Sequence, residues 1–303
     1  MNIEIKQKEL YQYFFPFINR EYKDSDPQIQ YVFRQNRFKF AAERLKTFFR
    51  EILGSNTRKP EDVKRQYNDS WKKIDYNQLN LEGKYCKNLY TVQWGDRYFD
   101  INMSGIAQLH LFCIKKIIDS LGPASAAEIG FGSGNKLLPL SVALPNIKFG
   151  GIELSDSGIG EAKRIIDDGI FPDAFQAFIP FALHDYEALS RLEIIQGSAE
   201  KLPFPDKSYD LVYTSQALEQ MELIREQVMF EISRIAKKYV LMIEPFRDWN
   251  EKGMRRNKIA ARNYFAARIA DLPQYGLKPI YIKEDLPSKL SMHVGIVLAE
   301  VVN

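Results

Sequence analysis

The sequence predicts an α/β protein: a doubly wound sheet of about seven strands, mostly parallel with an antiparallel last strand, preceded by a mainly helical N-terminal cap. Three observations predict it. From about residue 125 onward, short apolar runs alternate with helical patterns, the order that builds a parallel sheet covered on both faces. The first of these runs ends in Glu128-Ile-Gly-Phe-Gly-Ser-Gly-Asn135, a glycine-rich turn between strand and helix. The composition is globular, with 45% hydrophobic and 27% charged residues in a chain of 303, which excludes collagen-like, mucin-like and wholly disordered chains. Forty-two Lys and Arg against 39 Asp and Glu leave a formal charge of +3, too small for a nucleic-acid polyelectrolyte.

Residues 1–120 are rich in Tyr, Phe, Gln, Asn, Lys and Arg and short of β-branched runs. A helix is expected over 28–53, with Val32, Phe33, Phe40, Ala41, Leu45, Phe48, Phe49, Ile52 and Leu53 at helical spacing and Gly54 as its stop. Residues 56–60 read as a polar turn, and Pro60 suits the first turn of a helix through Val63, Tyr67, Trp71 and Ile74. Residues 89–102 look like a hairpin around Gly95-Asp96. Ser104 is placed to cap a helix to Leu121, with Ile106, Leu109, Cys113, Ile114, Ile117 and Ile118 as its buried stripe. This helix runs into the first strand without a linker, so 1–120 is expected to be a cap folded onto a domain spanning 121–303.

In that domain, strands are expected over 126–130, 149–154, 192–197, 209–215, 239–244, 280–283 and 294–302. Helices are expected from the glycine loop to about 144, over 160–168 and over 223–238. A loop alone joins the last two strands, which implies an antiparallel end. The connections 171–190 and 247–276 are longer than usual and read as insertions. Cys86 and Cys113 cannot make a disulfide framework, and His110, His184 and His293 lie far apart, so no metal site is expected. No run of 18 apolar residues is present, and the N-terminus has no basic segment leading into a long apolar one, so the expectation is a soluble cytoplasmic protein.

The glycine loop discriminates among nucleotide-type sites. A phosphate-binding P-loop would end in Gly-Lys-Ser/Thr, whereas Asn135-Lys136-Leu137 has no hydroxyl. A dinucleotide fingerprint needs a sixth-position glycine, and that position is Asn135. The pattern E-x-G-x-G-x-G, with Gly130, Gly132 and Gly134, resembles motif I of the class I S-adenosylmethionine-dependent methyltransferases, a Rossmann-like family. Glu153 ends the second strand 23 residues after Gly130, where a carboxylate can accept both ribose hydroxyls. The stretch 197–212, GSAEKLPFPDKSYDLV, is similar to the signature of the small-molecule methyltransferases of ubiquinone and menaquinone biosynthesis. That resemblance covers 124 to about 245. It implies S-adenosylmethionine as cofactor and S-adenosylhomocysteine as product. It assigns cofactor contacts to Glu128, Gly130, Phe131, Gly132 and Gly134 in the loop and to Glu153 and Leu154 after the second strand. It adds Ser198, Ala199 and Glu200 after the third, and Ser215 after the fourth. Ser198 replaces the acid that meets the adenine in that family, so the contact is expected to move to a backbone group or to Glu200. Glu219-Gln220 replaces the family's His pair in the substrate loop, and its Pro-Gly-Gly turn before the fifth strand is absent.

Methyl transfer asks the protein chiefly to hold donor and acceptor in line, and an oxygen or amine acceptor also sheds a proton. Candidates for that proton are Glu219, Glu244, Asp248 and His293, all at strand carboxyl ends or just before the last strand. Residues 248–270 carry Lys252, Arg255, Arg256, Lys258, Arg262 and Arg268 against Asp248 and Glu251, which suits a phosphate- or sugar-bearing acceptor and equally a solvated helix face. Tyr67, Trp71, Trp94 and Tyr98 are either core or a lid that excludes water. The leading reading is transfer to an O or N atom of a small molecule such as a sugar, glycan precursor or lipid-linked intermediate. The alternatives are a nucleic-acid methyltransferase, against which stand the low charge and Thr214-Ser215-Gln216-Ala217-Leu218 in place of an N/D-P-P-Y/F motif, and a non-catalytic S-adenosylmethionine-binding protein.

Overall fold

The computed structural model describes residues 3–54, 60–72, 76 and 89–302. The N-terminal part runs α1 (Gln7–Phe14), β1 (Ile18–Tyr22), α2 (Pro27–Ile52), α3 (Pro60–Trp71), β2 (Tyr90–Trp94), β3 (Arg97–Ile101) and α4 (Ser104–Leu121). Local chemistry fixes these ends. Asp26 accepts from the Gln28 N–H and Pro27 opens α2, while Gly54 follows it in the left-handed conformation at φ +66. Gly95, at φ +60, turns the hairpin in which Trp94 faces Arg97. Ser104 is the first helical residue of α4 and not its cap; the side chain of Asn102 accepts from the Ser104 N–H at 3.0 Å. Of the segments expected from sequence, 56–59, Ile74 and Cys86 lie outside the described residues.

The remainder runs β4 (Ser125–Ile129), α5 (Leu137–Ala143), β5 (Lys148–Glu153), α6 (Asp156–Asp168), α7 (Asp173–Phe178), β6 (Glu193–Gln196) and β7 (Tyr209–Ser215). Then come α8 (Arg225–Ile235), β8 (Ala236–Glu244), α9 (Gly253–Arg262), β9 (Leu277–Lys283), β10 (Ser288–Lys289) and β11 (Gly295–Val301). The main sheet has seven strands in the order β6-β5-β4-β7-β8-β11-β9. β4 through β8 are parallel, and β11 is antiparallel to both β8 and β9. The fold class expected from sequence is the one observed. Two boundaries shift for physical reasons. α5 begins at Leu137, after a turn rather than at the glycines, and Pro139 sits in its first turn, where no N–H is needed. α8 stops at Ile235 because Ala236 already pairs with Tyr209 in the sheet ladder.

One core lies on each side of the main sheet. α4 buries Leu109, Ile114 and Ile117 completely on one side, and α8 buries Val228, Met229 and Ile232 on the other. Each such side chain contributes roughly 1.5–3 kcal/mol. A second, antiparallel sheet of order β1-β3-β2-β10 stands in the N-terminal part. Its strand β10 comes from beyond β9, so the cap is stitched to the C-terminal segment by pairing of Ser288 with Gln93 and Lys289 with Val92. Sequence periodicity did not show β1, whose three central residues Asn19, Arg20 and Glu21 are exposed and polar. α2 packs on α9 and α3 on α6. Both long connections are therefore bound to the cap: 247–276 through α9, and 171–190 through Phe175, on which Tyr76 stacks at 4.3 Å.

Candidate active site

β4 lies between β5 and β7, where the order of the main sheet reverses, and ligands of open α/β sheets bind outside the carboxyl ends there. A cleft of about 260 Å³ opens at that place. Its floor is the glycine loop. Gly130, Gly132 and Gly134 have φ of +73, +60 and +86, values that L side chains strain to adopt. The Gly130 N–H donates to the Ile152 carbonyl at 2.8 Å, tying the loop to β5. Glu153 is 7% exposed, and its carboxylate ties the glycine loop to the turn after β5. Oε2 accepts from the Gly132 N–H at 2.9 Å, and Oε1 accepts from the Ser155 N–H at 2.8 Å and its hydroxyl at 2.5 Å. The cap closes over this floor. Trp71 lies against Gly132, so that a side chain at 132 would collide with its ring, and the Tyr76 hydroxyl meets Ser133 Oγ at 2.6 Å.

The wall is made by the other strand ends. Leu154, Ser198, Ala199 and Ser215 line the cleft, as do Gly130, Phe131, Gly132 and Glu153. Glu128, Gly134 and Glu200 are not part of the lining. Gly134 packs beneath on Leu138, and Glu200 is exposed, 3.2 Å from Ser198 Oγ. Glu128 is buried under the loop, where desolvation pushes its carboxyl up to about 7 against the pull of Lys136. Lys136, Gln216, Gln220 and Met221 also line the cleft, and sequence reasoning did not select them. For Lys136 a signal existed, since it is the cation immediately after the glycine loop.

The methyltransferase-domain family matches residues 127–243, which hold the loop, β5, β6, β7 and most of β8. Residues 127–243 thus form a methyltransferase domain of this family. Among solved structures, the chain resembles geranyl diphosphate C-methyltransferase from Streptomyces coelicolor A3(2), at 14% identity and a TM-score of 0.53, over 82% of this chain and 100% of that one. A geranyl diphosphate methyltransferase in complex with geranyl diphosphate and sinefungin gives 13% identity and a TM-score of 0.52, over 80% and 99%. At these identities the likeness is one of fold. No curated protein matches the sequence.

The four candidate bases are spread out, and none lines the cleft. Asp248 Oδ2 accepts from the Ile269 N–H at 2.9 Å, the work of a backbone cap. His293 is held by its ring Nε2 against the Glu284 carbonyl at 2.6 Å, with its edge against Trp249. Glu244 is fully buried, and its Oε1 accepts from the N–H groups of Ala217 and Leu218 at 2.9 and 3.2 Å, which fixes the turn after β7. Burial, with the charge of Glu219, pushes its carboxyl up to about 8. Glu219 is next to Gln220, which lines the cleft, and accepts from the Gln220 side-chain amide at 3.0 Å.

Glu219 also faces two lysines contributed by the insertion and the cap sheet. Lys258 of α9 is 7% exposed, with Ser291 Oγ at 3.3 Å; burial pushes its ammonium down to about 8, with the charge of Lys289 adding to the effect. Lys289 of β10 is also pushed down by burial and lies 5.0 Å from the Tyr90 ring. Among the described residues neither lysine is in an ion pair, whereas Arg262 pairs with Glu43 at 3.3 Å. His110, on α4, has its Nδ1 3.4 Å from Ser215 Oγ, and burial pushes its imidazole down to about 3. Of the aromatic residues, Trp94 and Tyr98 are core, Trp71 lines the cleft, and the side chain of Tyr67 lies outside the described residues.

Proposed function

We propose that this methyltransferase acts in the cytoplasm on a small-molecule acceptor that carries an anionic group, a phosphate or sugar phosphate, and methylates it at oxygen or nitrogen. The observation that supports the cofactor's place is the Glu153 carboxylate at the mouth of a glycine-floored cleft, already bonded to the loop and to Ser155. In this reading Glu153 takes the ribose hydroxyls, the Gly130–Gly132 backbone and Lys136 take the amino-acid end, and Leu154, Ser198 and Ala199 border the adenine. The lining residues fit the group: a bare backbone floor, one buried carboxylate, one cation and an apolar wall. When bound, S-adenosylmethionine supplies a methyl group on a positively charged sulfur. The chain's own residues orient the acceptor, exclude water through Trp71, and receive the acceptor's proton at Glu219.

The acceptor's charge is inferred from Lys258 and Lys289. Neither lysine makes a direct ion pair among the described residues, and the two share the charge of Glu219; an anion that enters beside them offsets the remaining positive charge of two buried ammonium groups. Geranyl diphosphate, which both similar structures contain as itself or as its thiolo analogue, is an anionic acceptor of the same kind.

Calorimetry with S-adenosylmethionine and S-adenosylhomocysteine tests the cofactor site. Glu153→Ala is expected to weaken binding by at least roughly tenfold while the circular dichroism stays native. Unchanged affinity in that variant would sink the assignment. For the acceptor subsite, about 10 mM pyrophosphate is expected to raise Tm by roughly 2–4 °C. Lys258→Met with Lys289→Met is expected to abolish that rise, and an equal rise in the double variant would place the anion elsewhere.

A further inference from the structure

α2 has the wrong face outward. Ile29, Phe40 and Thr47 are its buried residues and mark the side turned to the body of the protein. At about 100° per residue, Tyr31, Phe38, Leu45, Phe49 and Ile52 fall on the opposite side, in an arc of about 140° that Phe48 and Leu53 border. These are the most exposed large apolar residues of the helix: Tyr31 61%, Phe38 71%, Leu45 56% and Ile52 65%. Most monomers do not leave so long an apolar stripe uncovered.

Five of the six basic residues lie around the stripe, and Arg34 falls within its arc at the N-terminal half. α2 contains six basic and two acidic residues. On the same wheel Arg37 and Arg44 flank one edge of the arc, and Lys39, Lys46 and Arg50 lie toward the other. The two acidic residues lie on the inner half and are already engaged, Glu43 by Arg262 and Glu51 by Arg44. At the N-terminal half a groove of about 820 Å³ opens between α2 and α9, where Arg34 and Arg37 stand beside Tyr31, Phe38 and Met254.

We infer that α2 docks the protein on an anionic lipid surface, with the apolar stripe in the acyl boundary and the flanking Lys and Arg reaching the headgroups. Charge decides the occupant. A second copy would bring another basic helix against this one, whereas an anionic bilayer complements both the stripe and its flanks. Long basic side chains bury their stems along apolar surface and keep their charge at the headgroup level, a mode that suits Arg37 and Lys46 at the two edges of the stripe. The inference stands independently of the acceptor reading. No helix among the described residues is long and apolar enough to cross a membrane, so the contact is one of surface attachment.

The test is vesicle flotation of the full chain, with phosphatidylcholine alone and with phosphatidylcholine containing phosphatidylglycerol, alongside sedimentation of the free protein. Binding to the anionic vesicles and not to the neutral ones is expected. Phe38→Ser with Leu45→Ser should weaken it roughly tenfold or more. Arg37→Gln with Lys46→Gln should remove the preference for anionic lipid. All four positions are surface positions of one helix, so native circular dichroism in the variants separates loss of docking from loss of fold. No binding of the folded wild type to anionic vesicles overturns the inference. So does a concentration-dependent dimer that Phe38→Ser with Leu45→Ser dissolves in a protein that ignores vesicles, since that gives the stripe to a second copy.

Discussion

Gly132 carries two constraints at once. Its φ of +60 suits glycine, and its missing side chain is the space that the Trp71 ring fills. Gly132→Ala is therefore expected to cost roughly 1–2 kcal/mol from backbone strain and to push the lid off the loop. S-adenosylhomocysteine affinity should fall more than tenfold, read by calorimetry, and adding Trp71→Ala should relieve the collision without relieving the strain. The glycine spacing made this loop legible in the sequence. Trp71 was legible only as an aromatic residue, because helical spacing is the same for a core residue and a lid, and the partner that distinguishes them lies 61 residues away. The candidate bases show the same limit. Glu244 stands where a base would stand, yet two backbone N–H groups occupy its Oε1.

The element scale shows what periodicity can and cannot orient. α4 has one apolar stripe and buries it, so its spacing named the core residues correctly. Its start was misplaced by one residue: Met103 is the N-cap, and the side chain before it, Asn102, is the one that accepts from the Ser104 N–H. Asn102→Ala is expected to cost about 1 kcal/mol, seen as a Tm lower by roughly 2–4 °C, whereas Ser104→Ala should change Tm little. α2 is apolar on both sides, so its period predicts the helix and is silent about which side meets the body. β1 and β10 exist only through pairing with β3 and β2; their polar or two-residue sequences carry no alternation to read.

At the scale of the whole molecule, buried ionisable groups set the pH response. Glu128 and Glu244 hold their protons more tightly in the folded chain, at about 7 and about 8 against an ordinary 4.5. The stability this confers is full below 4.5 and is lost as pH rises through 7 to 8. His110 works in the other direction: its folded value near 3 lies below the ordinary 6.5, so its contribution is present above 6.5 and is lost as pH falls toward 3. Glu244→Gln keeps the carbonyl that Ala217 and Leu218 need and removes one titration. The Tm of this variant relative to wild type should fall as pH is lowered from 8 to 5.5, and a constant difference would show that Glu244 titrates as an ordinary surface carboxyl.

By itself the sequence determined the seven-stranded α/β sheet, its antiparallel strand, the glycine loop and Glu153, because each is written in contiguous residues as apolar period, glycine spacing or a strand-end carboxylate. The tertiary structure alone decided that β10 joins the cap sheet, that Trp71 lies on Gly132, that Lys258 and Lys289 share the charge of Glu219, and that the apolar side of α2 faces outward. Each of these is a meeting of segments far apart in the chain, or the choice of which of two similar faces is buried. Burial and electrostatic cost depend on what lies across the gap, which local pattern does not encode.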